Sequence, residues 1–227
     1  MQYLNPSTPL FQPFCPNIRR MNADARLRQS VTLTLSFVAL LWGIKLWEWI
    51  SDWSLVTLGV YPLSTQNLAG ILFGPLIHGS FLHIATNTFG LLVLGAALLY
   101  GFPKSRWRVL GTIWVLSGIG VWLFGRPSFH IGASGLTHGL FFFFLVVSVL
   151  RRDRRSIALM MMASLLFGGM FWGVLPSEQH VSFEYHLFGG TAGVLAALLF
   201  WRTDPKPDEK RYDWENETDG TSLDETS

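Results

Sequence analysis

Between Arg28 and Arg202 the chain alternates long apolar runs with short polar breaks. Six runs stand out, at roughly 30–50, 81–102, 107–125, 133–150, 156–175 and 185–201. Each holds 17–22 residues, and a helix needs about 20 to cross ~30 Å of hydrocarbon. The runs are too long and too continuously apolar for barrel strands. The pattern therefore predicts an all-α membrane protein with six transmembrane helices. One stretch breaks the rhythm. Residues 51–80 carry no charge after Asp52, include several Gly and Pro, and contain Leu72-Phe73-Gly74-Pro75-Leu76-Ile77. That is too apolar for a free loop, and it predicts a structured outer loop lying partly in the membrane interface. Irregular backbone at that depth needs its polar groups satisfied within the protein or by water.

Charge sharpens the picture. Of the 227 residues, 50% are hydrophobic and 14% charged, against about 25% charged in a soluble domain. Eighteen of the 32 charges fall in the first 30 or last 26 residues, and none lies between Trp53 and Pro103. An ordinary soluble domain and a wholly disordered chain are excluded. Nucleic acid is not an expected partner, since a net charge of +2 gives no strong attraction for it. The single cysteine, Cys15, forms no intrachain disulfide and no metal cluster by itself. No metal or cofactor is expected. Residues 1–30 lack the apolar run of a signal peptide.

Lys and Arg orient the spans. Fifteen of the 17 basic residues lie before the first run, between runs two and three, between runs four and five, or after run six. The positive-inside rule then predicts that both termini are cytoplasmic. Only Lys45 and Arg126 lie towards the other side, and Glu48, three residues after Lys45, partly neutralises it. The chain divides into a cytoplasmic N-terminal segment (1–29), a membrane domain (30–201) and an acidic tail (202–227). The tail holds nine acids and four bases and is expected to be solvated and disordered.

Polar groups inside the spans are costly and point to function. Span two carries His83 and Asn87, span four opens with Gly132-Ala133-Ser134-Gly135, and span six opens with Tyr185-His186-Leu187-Phe188-Gly189-Gly190. Asn87 lies 17 residues from Lys104, Ser134 17 from Arg151 and His186 16 from Arg202. At 1.5 Å per residue all three sit about 24–26 Å above the basic boundary, in one layer. His83 is one turn from Asn87 on the same helix face.

These groups suit acyl transfer. A serine hydroxyl needs a base, and neutral imidazole is the usual one. At a helix start, free backbone N–H groups favour developing negative charge. Amide and imidazole N–H groups from Asn87 and His83 complete a candidate oxyanion site. Gly135 with Gly139, and Gly189 with Gly193, form small faces that allow spans four and six to approach closely.

With these residues the sequence resembles the rhomboid family of intramembrane serine proteases. The matching pieces are His78-Gly-Ser-Phe-Leu-His83-Ile-Ala-Thr-Asn87, Gly132-Ala-Ser134-Gly135 and His186-Leu-Phe-Gly189-Gly190, in the family's order. The resemblance covers about residues 35–201. It implies a six-helix rhomboid-like bundle with a membrane-embedded first outer loop and a Ser–His dyad without an aspartate. Ser134 is then the nucleophile and His186 the base. His83, Asn87 and the Ser134 N–H hold the oxyanion. Span five and the loop 175–184 look like the substrate gate and cap. The implied substrates are single-span membrane proteins, and the implied location is the bacterial inner membrane, with membrane lipid as surroundings. His78, His138, Gly132 and Gly135 are possible supporting residues.

Two departures from the family pattern stand out. The first loop has no arginine where many bacterial members carry a Trp-Arg pair, so its anchoring must differ. His138 stands four residues after the serine, where an aromatic ring often stacks on the dyad histidine. Of the remaining histidines, His78 reads as a loop-fixing group and His130 and His180 as structural or solvated. Glu184 is not assigned a role at His186. A transporter or channel would want broken helices, inverted repeats or a charged pathway, and none is visible. A catalytically dead relative would usually lack the serine or the histidine. A metalloprotease is disfavoured because there is no His-Glu-x-x-His.

Overall fold

A computed structural model of the chain describes residues 16–176 and 182–207, with the side chains described from residue 23. Six helices in it are long and apolar enough to span a membrane. Span one ends the helix Pro16–Ser51, and span two runs Phe81–Gly101. Spans three and four are Arg106–Phe124 and Ser134–Arg151. Span five is Arg154–Phe167 continued by a 3₁₀ segment, Gly168–Val174, and span six is Phe183–Phe200. Among the described residues there is no strand, only one isolated antiparallel bridge between Val60 and His130. The bundle matches the expectation of six membrane-crossing helices.

Local chemistry sets the helix starts. The Ser80 hydroxyl accepts the His83 N–H at 3.1 Å and opens span two. The Asp153 carboxylate accepts the Ser156 N–H at 3.0 Å and opens span five. The Ser182 hydroxyl accepts the Tyr185 N–H at 3.3 Å and opens span six. Each side chain satisfies a donor that the first helical turn leaves free. Span two contains a π-helical turn at Leu91–Gly95, of the kind that often marks functional regions.

Span four is the most buried of the six and span five the least. Its partner is span six, held by glycine against glycine. A methyl on Gly189 would overlap the Gly135 carbonyl, and one on Gly193 would overlap that of Gly139. The small faces read from the sequence thus meet backbone to backbone, which is how helices associate in lipid without a hydrophobic driving force. Around this pair Leu94, Leu98, Ile113, Leu140, Phe143, Phe144 and Ala196 form the core.

The first outer loop is structured, as its apolar content predicts. It contains a helical turn at Gly70–Phe73 and several 3₁₀ turns. Its anchors are backbone groups, indoles and the Glu48 carboxylate rather than an arginine. Val60 exchanges hydrogen bonds with His130 at 3.0 and 2.8 Å. Trp114 Nε1 donates to the Leu72 carbonyl at 3.1 Å and Trp122 Nε1 to that of Ser64 at 3.0 Å. Glu48 accepts the Leu55 N–H at 2.7 Å and faces Lys45 Nζ at 3.5 Å.

At the basic end the fold extends past Trp201. Asp204 is buried and accepts the Lys104 and Ser105 N–H groups at 2.7 and 3.1 Å, and the Ser105 hydroxyl at 2.6 Å. Arg151, read from the sequence as one positive charge among many, is 2% exposed. It meets Asp153 at 2.7 Å, and its guanidinium donates to the carbonyls of Trp201, Asp204 and Pro205 at 2.8, 2.7 and 3.2 Å. Burial by itself would raise the Asp153 carboxyl, but the Ser156 N–H and Arg151 hold it below the ordinary value. The first residues of the acidic tail are therefore part of the bundle. The rest of that tail, from 208 on, lies outside the described residues.

Candidate functional site

Ser134 is the first residue of span four. The chain reaches it through Gly132, whose φ of +109° is a conformation that side chains rarely adopt. A methyl at Gly132 would also sit 2.5 Å from His83 Cε1 and 3.7 Å from Asn87 Nδ2. This glycine thus brings the backbone before Ser134 against His83 and Asn87 of span two. Its N–H donates to the Gly74 carbonyl at 2.9 Å, so the first loop supports the same turn.

His78 ends the first loop, as its sequence position suggested. Its Nε2 accepts the Ala133 N–H at 3.4 Å, and its ring meets that of His83 edge to face, with centroids 5.1 Å apart. Burial, reinforced by the neighbouring His83, pushes the His78 imidazole down to about 4. It is therefore neutral at ordinary pH and able to accept.

On the other side of Ser134 lies a stack of two imidazoles. The rings of His138 and His186 are 3.9 Å apart and only 7° from parallel. His138 Nδ1 is 2.8 Å from the Ser134 carbonyl oxygen, and His186 Nδ1 is 2.9 Å from the Gly173 carbonyl oxygen. The departure at position 138 preserves an aromatic plane against His186. No hydrogen bond joins the Ser134 hydroxyl to His186 in this resting arrangement. Such bonds are often long in free enzymes and tighten when substrate binds.

Asn87 is buried, and its Nδ2 has no hydrogen-bond partner. Buried amide donors are nearly always paired, so each exception asks for an explanation. Here the donor faces the turn that delivers Ser134. Gly135, the fourth residue of the motif, packs its backbone on Tyr185, where a methyl would lie 2.7 Å from Cδ1.

Glu184, next to this cluster in sequence, turns away from it. Its carboxylate lies 3.2 Å from Arg126 Nε and 3.9 Å from His130 Nδ1. His130 is buried, with Nδ1 2.6 Å from the Ser182 hydroxyl and Nε2 3.0 Å from the Arg126 carbonyl. Burial lowers its affinity for a proton, against the opposing pull of the Arg126 carbonyl and Glu184. Of the two sequence readings, structural or solvated, its burial removes the second. His180 lies outside the described residues.

The candidate residues of spans two, four and six thus come together. The residue that sequence reasoning missed is Gly173. It contributes only a carbonyl, and no residue type signals where a carbonyl will point.

Residues 65–203 match the family model described as Rhomboid domain. An uncharacterized protein of Mycobacterium tuberculosis and one of Mycobacterium bovis are each 38% identical over 178 residues, 74% of this chain and 74% of theirs. An uncharacterized protein of Mycobacterium leprae is 36% identical over 189 residues, 78% of this chain and 74% of its own.

Proposed function

The chain belongs to the rhomboid family, and from that premise we propose that it is a serine endopeptidase that cuts single-span membrane proteins in or near their transmembrane segments. Ser134 Oγ attacks the scissile carbonyl, and His186 Nε2 takes the hydroxyl proton. The carbonyl electrons move to oxygen, where the Asn87 amide, the His83 ring and the Ser134 N–H meet the charge. Collapse of this intermediate expels the amine, which receives its proton from His186. Water then attacks the acyl-serine with His186 again as base, releasing the acid and restoring Ser134.

The observation that carries this reading is the buried, unpaired Asn87 amide beside the Gly132–Ser134 turn. A donor kept dry and idle in the resting protein suits an acceptor oxygen that develops only during reaction. Neutral donors also avoid placing a carboxylate in the membrane, where charge is expensive. The positive-inside pattern supports cytoplasmic termini in a bacterial cell membrane, with the site near the opposite face.

The test is labelling by a fluorophosphonate probe, together with cleavage of a transmembrane substrate in liposomes. The probe should label Ser134 in the parent and not in Ser134→Ala, and both Ser134→Ala and His186→Ala should abolish cleavage. Equal labelling of parent and Ser134→Ala, or cleavage by either variant at the parental rate, refutes the reading.

A further inference from the structure

A carbonyl oxygen only accepts hydrogen bonds, so its partner on a neutral imidazole must be the protonated nitrogen. His186 Nδ1 lies 2.9 Å from the Gly173 carbonyl. The proton therefore sits on Nδ1 and the lone pair on Nε2, the tautomer that a general base requires. In a Ser–His–Asp triad a buried carboxylate fixes this tautomer. The carboxylate nearest in sequence here, Glu184, is engaged by Arg126 instead. Building on the proteolytic reading above, we propose that the Gly173 carbonyl is the positioning group of the dyad, so that His186 is competent as a base only while segment 168–174 is seated on the site.

Gly173 touches both stacked rings. A methyl on it would lie 2.8 Å from His138 Nε2 and 3.7 Å from His186 Nδ1. The segment is thus one wall of the site, and its carbonyl and the His138 face together fix the His186 ring in plane and in rotation. The same segment is lightly held. It continues span five, the least buried of the six. At its junction with the helix, Gly168 and Gly169 have nothing within 4 Å of where a side chain would begin. Its middle makes two packing contacts, Phe171 on Phe142 of span four at 6.0 Å between centroids and Met170 beside Gly90 of span two, and none of its residues is buried. When this segment lifts from the site, the Nδ1 acceptor is lost. The proton then distributes between the two ring nitrogens until the segment returns. Base activation is in this way coupled to the seating of segment 168–174.

The test uses the full-length protein in two measurements. Nitrogen NMR of ¹⁵N-histidine protein, with His186 assigned by comparison with His186→Gln, reports the tautomer directly. The expected result is an Nδ1–H imidazole at neutral pH. The second measurement replaces Val174 by its hydroxy-acid analogue, which turns the Gly173 carbonyl into a weaker, ester acceptor. Fluorophosphonate labelling of Ser134 should slow by roughly three- to tenfold, the loss expected for weakening one hydrogen bond. Probe saturation should not change, and an ester at position 161 should label at the parental rate. An Nε2–H tautomer in the parent, or parental labelling of the 174 ester, overturns the proposal while leaving the protease reading intact. Absence of Ser134 labelling in the parent fails the protease reading instead. If the ester protein does not fold, the NMR result on the unmodified chain decides.

Discussion

Asn87→Ala separates a reaction role from a packing role. The parent buries the Asn87 Nδ2 donor with no partner, which costs the folded state about 1–3 kcal/mol. Alanine removes that cost and leaves a small gap, so stability should stay within about 1 kcal/mol of the parent. Turnover should behave differently. Removing one donor from an oxyanion site raises the barrier by about 2.7–4 kcal/mol, which is about a 100- to 1000-fold fall in kcat. KM should change little, because the donor meets charge that exists only in the transition state. The assay is cleavage of a transmembrane substrate in liposomes over a range of substrate-to-lipid ratios, paired with thermal unfolding in detergent. Turnover within threefold of the parent refutes the reasoning. So does a drop in turnover that merely follows a loss of folded protein, which is what a hydrogen-bonding strut between helices would give.

Other expectations concern the frame around the site. Gly189→Ala forces a methyl into the Gly135 carbonyl and should destabilise by about 1–3 kcal/mol while cutting turnover of the folded fraction; Gly43→Ala, with open space around it, should do neither, and equal melting of the two variants refutes the backbone contact. Arg151→Met leaves Asp153 buried without its partner and should cost about 3–5 kcal/mol in detergent unfolding, with kcat of the surviving protein unchanged; an unaltered unfolding midpoint counts against the basic-end cluster. His78 provides a pH signature. Its folded-state value of about 4 lies below the ordinary ~6.5, so between these values the unfolded chain binds a proton that the folded chain refuses. Stability is then full above pH ~6.5 and falls by up to about 3 kcal/mol as the pH drops towards 4. His78→Gln should lack this part of the slope, and a pH-independent difference between parent and variant refutes the assignment.

Much of the candidate site is legible in the sequence alone. Ser134, His186, His83 and Asn87 are polar residues where polarity is expensive, and helix rise alone puts them in one layer. A ring at position 138 stacked on His186 is what the family resemblance implies, and His138 supplies it, with centroids 3.9 Å apart. The loop's anchoring was not legible. Trp114 and Trp122 look like ordinary membrane indoles until their N–H groups are seen on the carbonyls of Leu72 and Ser64. Arg151 was misleading in a different way. It counts correctly as a basic-side charge, yet it is buried as the hub of a network reaching Asp204.

The sequence by itself determined how many times this chain crosses the membrane and which polar residues stand out there as candidates. Both follow from solvation, because hydrocarbon penalises every charge and every free polar group whatever its neighbours are. Tertiary structure decided which atoms meet. Spans four and six approach this closely because two glycine pairs let their backbones touch. The orientation of His186 is set by a carbonyl 13 residues away on another element. A backbone carbonyl is the same in every residue, so no pattern of side chains can announce it; only packing decides where it points.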